Sequence, residues 1–305
     1  MSSDMSTTRH PSVPPARVLG ADVVVSGGDR PRIRRRTRRR LIEILLVVAA
    51  LVYVGPFLFT LLASFRTAGD IAADPLGLPR HLTLDNYKTS VQEIHYFSSA
   101  WNAVLLTVFS CLAISVVGSM AAYPLARITS RLSTAMYRMF ILGLTVPVFV
   151  IIGPLYLLIR DLHLLDSRFG LVVIYTALNL PVSVFFYTSF VRQIPAELEE
   201  AAAIDGCGPL RTFFTIIFPL MRPVTGTLLT FVSLQVWNNL VIPLVFLQDP
   251  GKSTVMANAY SFADPHTLQP TQLFPAALLG VLPLFVLFLI FQRQVVSGMT
   301  SGAVK

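Results

Sequence analysis

Six stretches of this sequence are long and apolar enough to cross a lipid bilayer: 41–63, 99–126, 139–159, 169–191, 224–247 and 273–291. A helix needs about 20 apolar residues for that task. Five of the six hold no Asp, Glu, Lys or Arg, and the first holds only Glu43, close enough to its end to reach water. A run of this length that is apolar on every side has no polar face to offer solvent, so it is not a helix from a soluble core. The fold class that follows is an all-α integral membrane protein with six transmembrane helices. The composition agrees: charged residues make up 13% of the chain and hydrophobic ones 54%, where a soluble domain carries about 25% charge. An ordinary globular protein, a disordered chain and a nucleic-acid-binding domain are all excluded.

Orientation follows from the placement of Lys and Arg, which concentrate in cytoplasmic loops. With the N-terminus inside, 18 of the 24 fall in inside segments and six in outside ones, so both termini are expected in the cytoplasm. Ten of the 18 lie in residues 1–40, and eight arginines crowd between Arg30 and Arg40. Such a cluster beside an apolar run reads as a juxtamembrane anchor on the anionic leaflet rather than a nucleic-acid arm. Residues 1–40 are expected to be a disordered, Arg-rich cytoplasmic arm, and 41–305 a six-helix transmembrane domain. The first span is 23 residues long, against about 7–15 for a signal h-region, which favours an uncleaved anchor. Cys111 and Cys207 fall on different sides of this topology and are expected to be free thiols.

Catalytic signatures are missing. Gly251-Lys252-Ser253 resembles the end of a phosphate-binding loop, but position 246, where the first glycine belongs, is Phe246. None of the five histidines (His10, His81, His95, His163, His266) lies in a span, and there is no Gly-x-Ser-x-Gly elbow. Asp161, His163 and Asp166 share one outer loop, as metal or substrate contacts or simply as a solvated turn. No ionisable group lies at membrane depth, which argues against a proton relay.

The informative segment is the inside loop 194–223, IPAELEEAAAIDGCGPLRTFFTIIFPLMRP. Pro195 suits a first helical turn, and Glu197, Glu199 and Glu200 place negative charge at the positive end of the helix dipole. Ala201, Ala202 and Ala203 are strong helix formers of little bulk, and Gly206 can adopt the left-handed conformation that ends a helix. Pro209 starts a second helix, partly apolar through Phe213, Phe214, Ile216 and Ile217, which is expected at the membrane surface. A small-residue helix with an acidic start is shaped for close approach to another backbone.

This loop resembles the EAA loop of ABC importer permeases, EAA-x3-G-x9-I-x-L-P, with Phe218 in place of the leucine. The flanking sequence is similar to the MalG-type carbohydrate permeases from about residue 41 to the end: Asn86-Tyr87, Ala121-Ala122-Tyr123-Pro124-Leu125-Ala126-Arg127, Pro154-Leu155-Tyr156, Ile194 to Glu200, Trp237-Asn238 and Ser301-Gly302-Ala303-Val304-Lys305. Asn239 departs from the acidic residue that often follows Trp-Asn in this family, and Cys207-Gly208 departs after the glycine. The resemblance implies the ABC importer permease fold, in a bacterial cytoplasmic membrane, with a coupling helix between spans four and five. It implies a second, MalF-like permease subunit, two ATPase subunits and an extracytoplasmic solute-binding protein as partners, besides membrane lipid and with no nucleic acid. ATP and Mg would sit on the ATPase, leaving this chain with no cofactor, metal or catalytic residue. Glu200, Ala201, Ala202, Asp205 and Gly206 would carry the coupling. A membrane-embedded sugar or lipid transferase and a stand-alone secondary carrier are the alternatives.

Polar residues inside the spans mark candidates for a substrate path. Tyr175, Asn179, Ser183 and Tyr187 recur every four residues on the fourth span, and Gln235, Asn238 and Asn239, beside Trp237, share a face of the fifth. Amides, tyrosines and a tryptophan suit sugar hydroxyls and sugar faces better than ions. The same residues can instead serve interhelical hydrogen bonds, worth about 0.6 kcal/mol each. The prolines within the spans, among them Pro147, Pro181 and Pro243, are expected to kink helices, as hinges or as fixed bends.

Overall fold

The computed structural model describes residues 32–263 and 268–303; most of the basic arm, His266 and the end of the C-terminal motif lie outside the described residues. The chain divides into two units, Met1–Val54 and Gly55–Lys305. The first is, among its described residues, the opening part of helix α1 (Arg32–Ala63). The arginines from Arg32 onward are therefore helical, where the sequence suggested disorder up to residue 40. Arginine is a good helix former, and extending an existing helix avoids the cost of nucleating a new one. Arg39 also donates to Glu43 one turn ahead, at 3.0 Å.

The second unit is helical throughout, with no strand among the described residues beyond one isolated bridge between Arg66 and Leu82. Two short helices, α2 (Ala68–Ala73) and α3 (Asp85–Glu93), follow α1. The buried Arg66 guanidinium organises this connection, donating to the carbonyls of Pro75 at 3.0 Å, Asp70 at 2.6 Å and Asp74. Asn86 and Tyr87 close it, through the Ser64 and Arg66 carbonyls (3.0 and 2.8 Å) and the Ser64 hydroxyl (2.7 Å).

The core of this unit is built on α4 (Tyr96–Arg127) and its packing partner α7 (Arg168–Val191). With the stretch Arg39–Ala63, these are the three unbroken helices long and apolar enough to cross a membrane among the described residues. The buried face of α4 is a row of small residues, including Ser110, Ser115, Gly118, Ser119 and Ala122. That composition lets helix backbones approach closely inside lipid. At Gly118 a side chain would run into Ser183, whose Cβ lies 2.7 Å from where a Cβ would stand. Larger residues, among them Leu106, Ile114, Leu171 and Ile174, fill the space on either side.

The third and fifth expected spans are not continuous. Residues 139–159 fall in two helices, α5 (Arg131–Gly143) and α6 (Val148–Asp161), bent by 106° at a break before Pro147. Proline disfavours the helical conformation in the residue before it, which ends α5 and starts α6 in a new direction. Next along the chain come α8 (Glu197–Ile204), α9 (Pro209–Thr212), a π-turn at Phe213–Ile217 and α10 (Phe218–Leu220). Helix α11 (Arg222–Trp237) then stops well short of residue 247, and the chain resumes helix only in α12 (Val241–Phe246). A short α13 (Val255–Ala259) leads to α14 (Pro270–Ala303), apolar over Pro270–Val286, which contains most of the sixth expected stretch. Trp237 donates its indole N–H to the Gly280 carbonyl at 3.1 Å, which fixes the end of α11 to α14.

Candidate functional site

The two breaks face the same space. A cavity of about 570 Å³ is lined by Gly143, Leu144, Val146 and Val148 around the α5–α6 bend, by Gln235, Asn239 and Ile242 around the α11–α12 break, and by Tyr175 and Asn179 of α7. Its lining carries no charged side chain. Asn239 belongs to the break itself, since its side-chain oxygen accepts from the Ile242 N–H at 2.9 Å and caps α12. Asn179 is buried and donates to the Tyr175 carbonyl at 2.9 Å. The Tyr175 hydroxyl is buried without a hydrogen-bond partner among the described residues.

Four of the seven residues expected on a substrate path lie elsewhere. Ser183 and Tyr187 are buried between α7 and α4, Ser183 donating to the Leu180 carbonyl at 2.8 Å and Tyr187 paired with the Ser115 hydroxyl at 3.1 Å. A four-residue spacing drifts about 40° per step around a helix, so a stripe that begins at Tyr175 on the cavity ends at Tyr187 under α4. Trp237 is committed to Gly280, and Asn238 turns back to the Leu234 carbonyl at 2.9 Å. Asn179, Gln235 and Asn239 are the expected residues that the structure brings together.

The 194–223 loop folds as a helix, a tight turn and a second helical segment. Helix α8 begins at Glu197, so Pro195 sits ahead of it rather than within its first turn. Gly206 ends it with φ +79°, while Gly206 and Cys207 donate to the Ala203 and Ala202 carbonyls at 3.0 and 2.9 Å, the paired closure of a left-handed helix cap. Glu200, Ala201, Asp205 and Gly206 are exposed, and Ile204 projects with 87% of its surface free. Ala202 is buried against the bundle, so its methyl group packs inward rather than meeting a partner. The second segment is not simply laid on a surface either: Phe213 and Ile217 are buried, and the Phe213 ring lies 5.3 Å from that of Tyr123. Glu199, which the acidic-start argument did not separate from its neighbours, is held by Arg127 and Tyr123. Both partners lie in the motif that ends α4, but spacing along the chain cannot reveal a pairing across more than 70 residues.

The Asp161, His163 and Asp166 group is dispersed by its partners. Asp161 accepts from Arg160 at 2.9 Å. Asp166 binds Lys252 at 2.5 Å and the N–H groups of Gln248 and Asp249, which hold its carboxyl down at about 2. Among the described residues no three acidic, His or Cys side chains are grouped to hold a metal ion. Cys111 and Cys207 are free thiols.

A family described as "Binding-protein-dependent transport system inner membrane component" matches residues 114–301. The chain belongs to that family. This permease is 34% identical over 275 residues to the melibiose/raffinose/stachyose import permease protein MelC of Bacillus subtilis, covering 90% of this chain and 99% of the relative. It is 32% identical to AmyC of Thermoanaerobacterium thermosulfurigenes, a probable starch degradation products transport system permease, over 88% and 97% of the two chains. Its fold matches a chain of a bacterial ABC transporter involved in the import of the acidic polysaccharide alginate, with a TM-score of 0.68 and 20% identity over 85% of this chain and 96% of that one. The permease is thus a multi-pass membrane subunit of a transport system.

Proposed function

We propose that this permease imports a carbohydrate, forming half of the translocation path beside a second permease subunit. It receives substrate from an extracytoplasmic binding protein and draws force from two ATPase subunits, which hold the ATP and Mg. The observation that carries the substrate class is the charge-free cavity of Tyr175, Asn179, Gln235 and Asn239, set where two helices are broken. Broken helices at a cavity are a recurring way for transporters to present polar groups in lipid. The amides can exchange hydrogen bonds with sugar hydroxyls, and the apolar lining can meet a sugar face. The sugar-import relatives support the same class.

The loop helix α8, on the cytoplasmic side with both termini, is the coupling element. Its exposed Glu200, Ala201, Asp205 and Gly206 offer a small, rigid surface to an ATPase, and a linkage of this kind requires different contacts in two states. The test is uptake of a labelled oligosaccharide by the complete system in proteoliposomes. Gly206→Val, forced into a left-handed conformation that β-branched residues resist, is expected to abolish uptake. Uptake by the permease alone, without ATPase, would establish a self-sufficient carrier instead. Sidedness is checked at the half-buried Cys207 with a membrane-impermeant maleimide, expected to react only after cells are permeabilised.

A further inference from the structure

Arg127 closes the C-terminal end of α4, where the helix dipole favours a cation, and Glu199 stands in the first turn of α8, where it favours an anion. The two groups meet. Arg127 Nε donates to Glu199 Oε1 at 2.7 Å, and its Nη2 lies 2.6 Å from the same oxygen and donates to the Ile194 carbonyl at 2.9 Å. Tyr123 donates its hydroxyl to the other carboxylate oxygen, Oε2, at 2.8 Å. Both oxygens of Glu199 are therefore engaged, and the guanidinium spans the turn that joins α7 to α8.

This is not an ordinary surface ion pair. The Arg127 and Glu199 side chains are only 21% and 19% exposed, and several charge-assisted bonds converge on one carboxylate. Tyr123 also packs its ring on Phe213, so the last turns of α4 hold α8 through Glu199 and the π-turn through Phe213. Helix α4 is in turn packed closely along α7. Glu200, one residue on, is exposed and free to meet another protein. The neighbouring glutamates divide the work of the short helix: one faces out, the other fastens it to the bundle.

We propose that Tyr123, Arg127 and Glu199 form a positioning clasp that transmits displacement of α8 into the α4–α7 pair, and so sets how much substrate moves per ATP hydrolysed. The proposal rests on the coupling role of α8 argued above. Without the clasp the ATPase would still grip the loop, but the loop would move without carrying the bundle.

The test uses the complete transporter in proteoliposomes, with uptake and ATP hydrolysis measured on the same preparation. Glu199→Gln and Arg127→Gln are expected to lower the uptake-to-hydrolysis ratio about tenfold, within the usual range of inter-site coupling, while the ATPase still co-purifies. Tyr123→Phe is expected to lower it less. The reversed pair Arg127→Glu with Glu199→Arg is expected to recover part of the uptake-to-hydrolysis ratio that either reversal alone loses; a merely structural role would change the amount of assembled transporter and leave that ratio where it was. An unchanged ratio in the Gln variants would overturn the clasp. If those variants fail to assemble, the reversed pair decides, and no recovery over the single reversals would overturn it. Glu200→Ala and Gly206→Val separate the two readings. Should they leave uptake intact, the coupling role of the loop falls; should they abolish it while the Gln variants keep the ratio, the clasp alone falls.

Discussion

The α4–α7 pair and the helices around the cavity are made from equally apolar sequence, yet they are built in opposite ways. The pair is continuous and closely packed, with glycine and serine where the backbones approach. Around the cavity the chain breaks twice, before Pro147 and at Asn238–Leu240, and the space left is lined by backbone turns and amides. In lipid, where apolar residues gain nothing by leaving solvent for each other, close backbone contact makes a firm element, and interrupted helices make room for polar groups. One construction can carry force; the other can hold a solute.

The contrast breaks most completely at Gly118. A Cβ there would meet the Ser183 side chain, so Gly118→Val must push α4 and α7 apart. Overpacking of this sort costs about 1–3 kcal/mol, and the variant is expected to yield little assembled transporter by size-exclusion of the solubilised complex. Gly153→Ala on α6, with open space at the same atom, is the control and should purify normally. Equal behaviour of the two would mean that the pair is not closely packed.

The cavity side is sharpened by substitutions that should leave assembly alone. Asn179→Leu and Gln235→Leu keep approximate volume but remove hydrogen-bonding groups, and each is expected to reduce carbohydrate uptake by about tenfold, the loss of roughly one net hydrogen bond. Ser183→Ala, buried away from the cavity, should change uptake far less. A smaller effect is expected at the break itself. Asn239→Ala removes the cap on α12, worth about 1 kcal/mol, and should lower the thermal midpoint of the purified complex; Asn239→Asp, which restores an acceptor, should recover it.

How much of this was legible in the sequence differs between the two regions for the same reason. Uninterrupted apolar runs identify α4 and α7 because length and charge depletion alone define a crossing helix. The same all-round apolarity hides a change of direction, since a helix with no polar face gives no periodic signal to lose; Pro147 and Asn239 are the residues that mark the breaks. The close of α8 could be read from Gly206, because a positive φ has a local residue signature. The choice between Glu199 and Glu200 could not. Adjacent glutamates look alike until the end of α4 is brought beside them, and the inward turn of Ala202 is likewise decided by packing rather than by propensity.

The smallest effect is expected far from both regions, where Asp166 ties the turn before α7 to the 248–252 segment. Its carboxylate accepts from Lys252, Gln248 and Asp249, chiefly the ammonium group, and this holds its pKa at about 2, below the ordinary 3.8. A carboxyl whose pKa is lowered by folding stabilises the folded state above its unfolded pKa, and that contribution is lost as pH falls from about 4 toward 2. The thermal midpoint of the wild-type complex should therefore exceed that of Asp166→Asn by a constant margin between pH 7 and 5, of about 2 °C for a protein of this size, and the margin should shrink only below pH 4. Asparagine tolerates the positive φ of 52° at this position, so the comparison isolates the charge from the backbone. A margin that already collapses between pH 7 and 5 would show that the effect does not come from the Asp166 carboxylate.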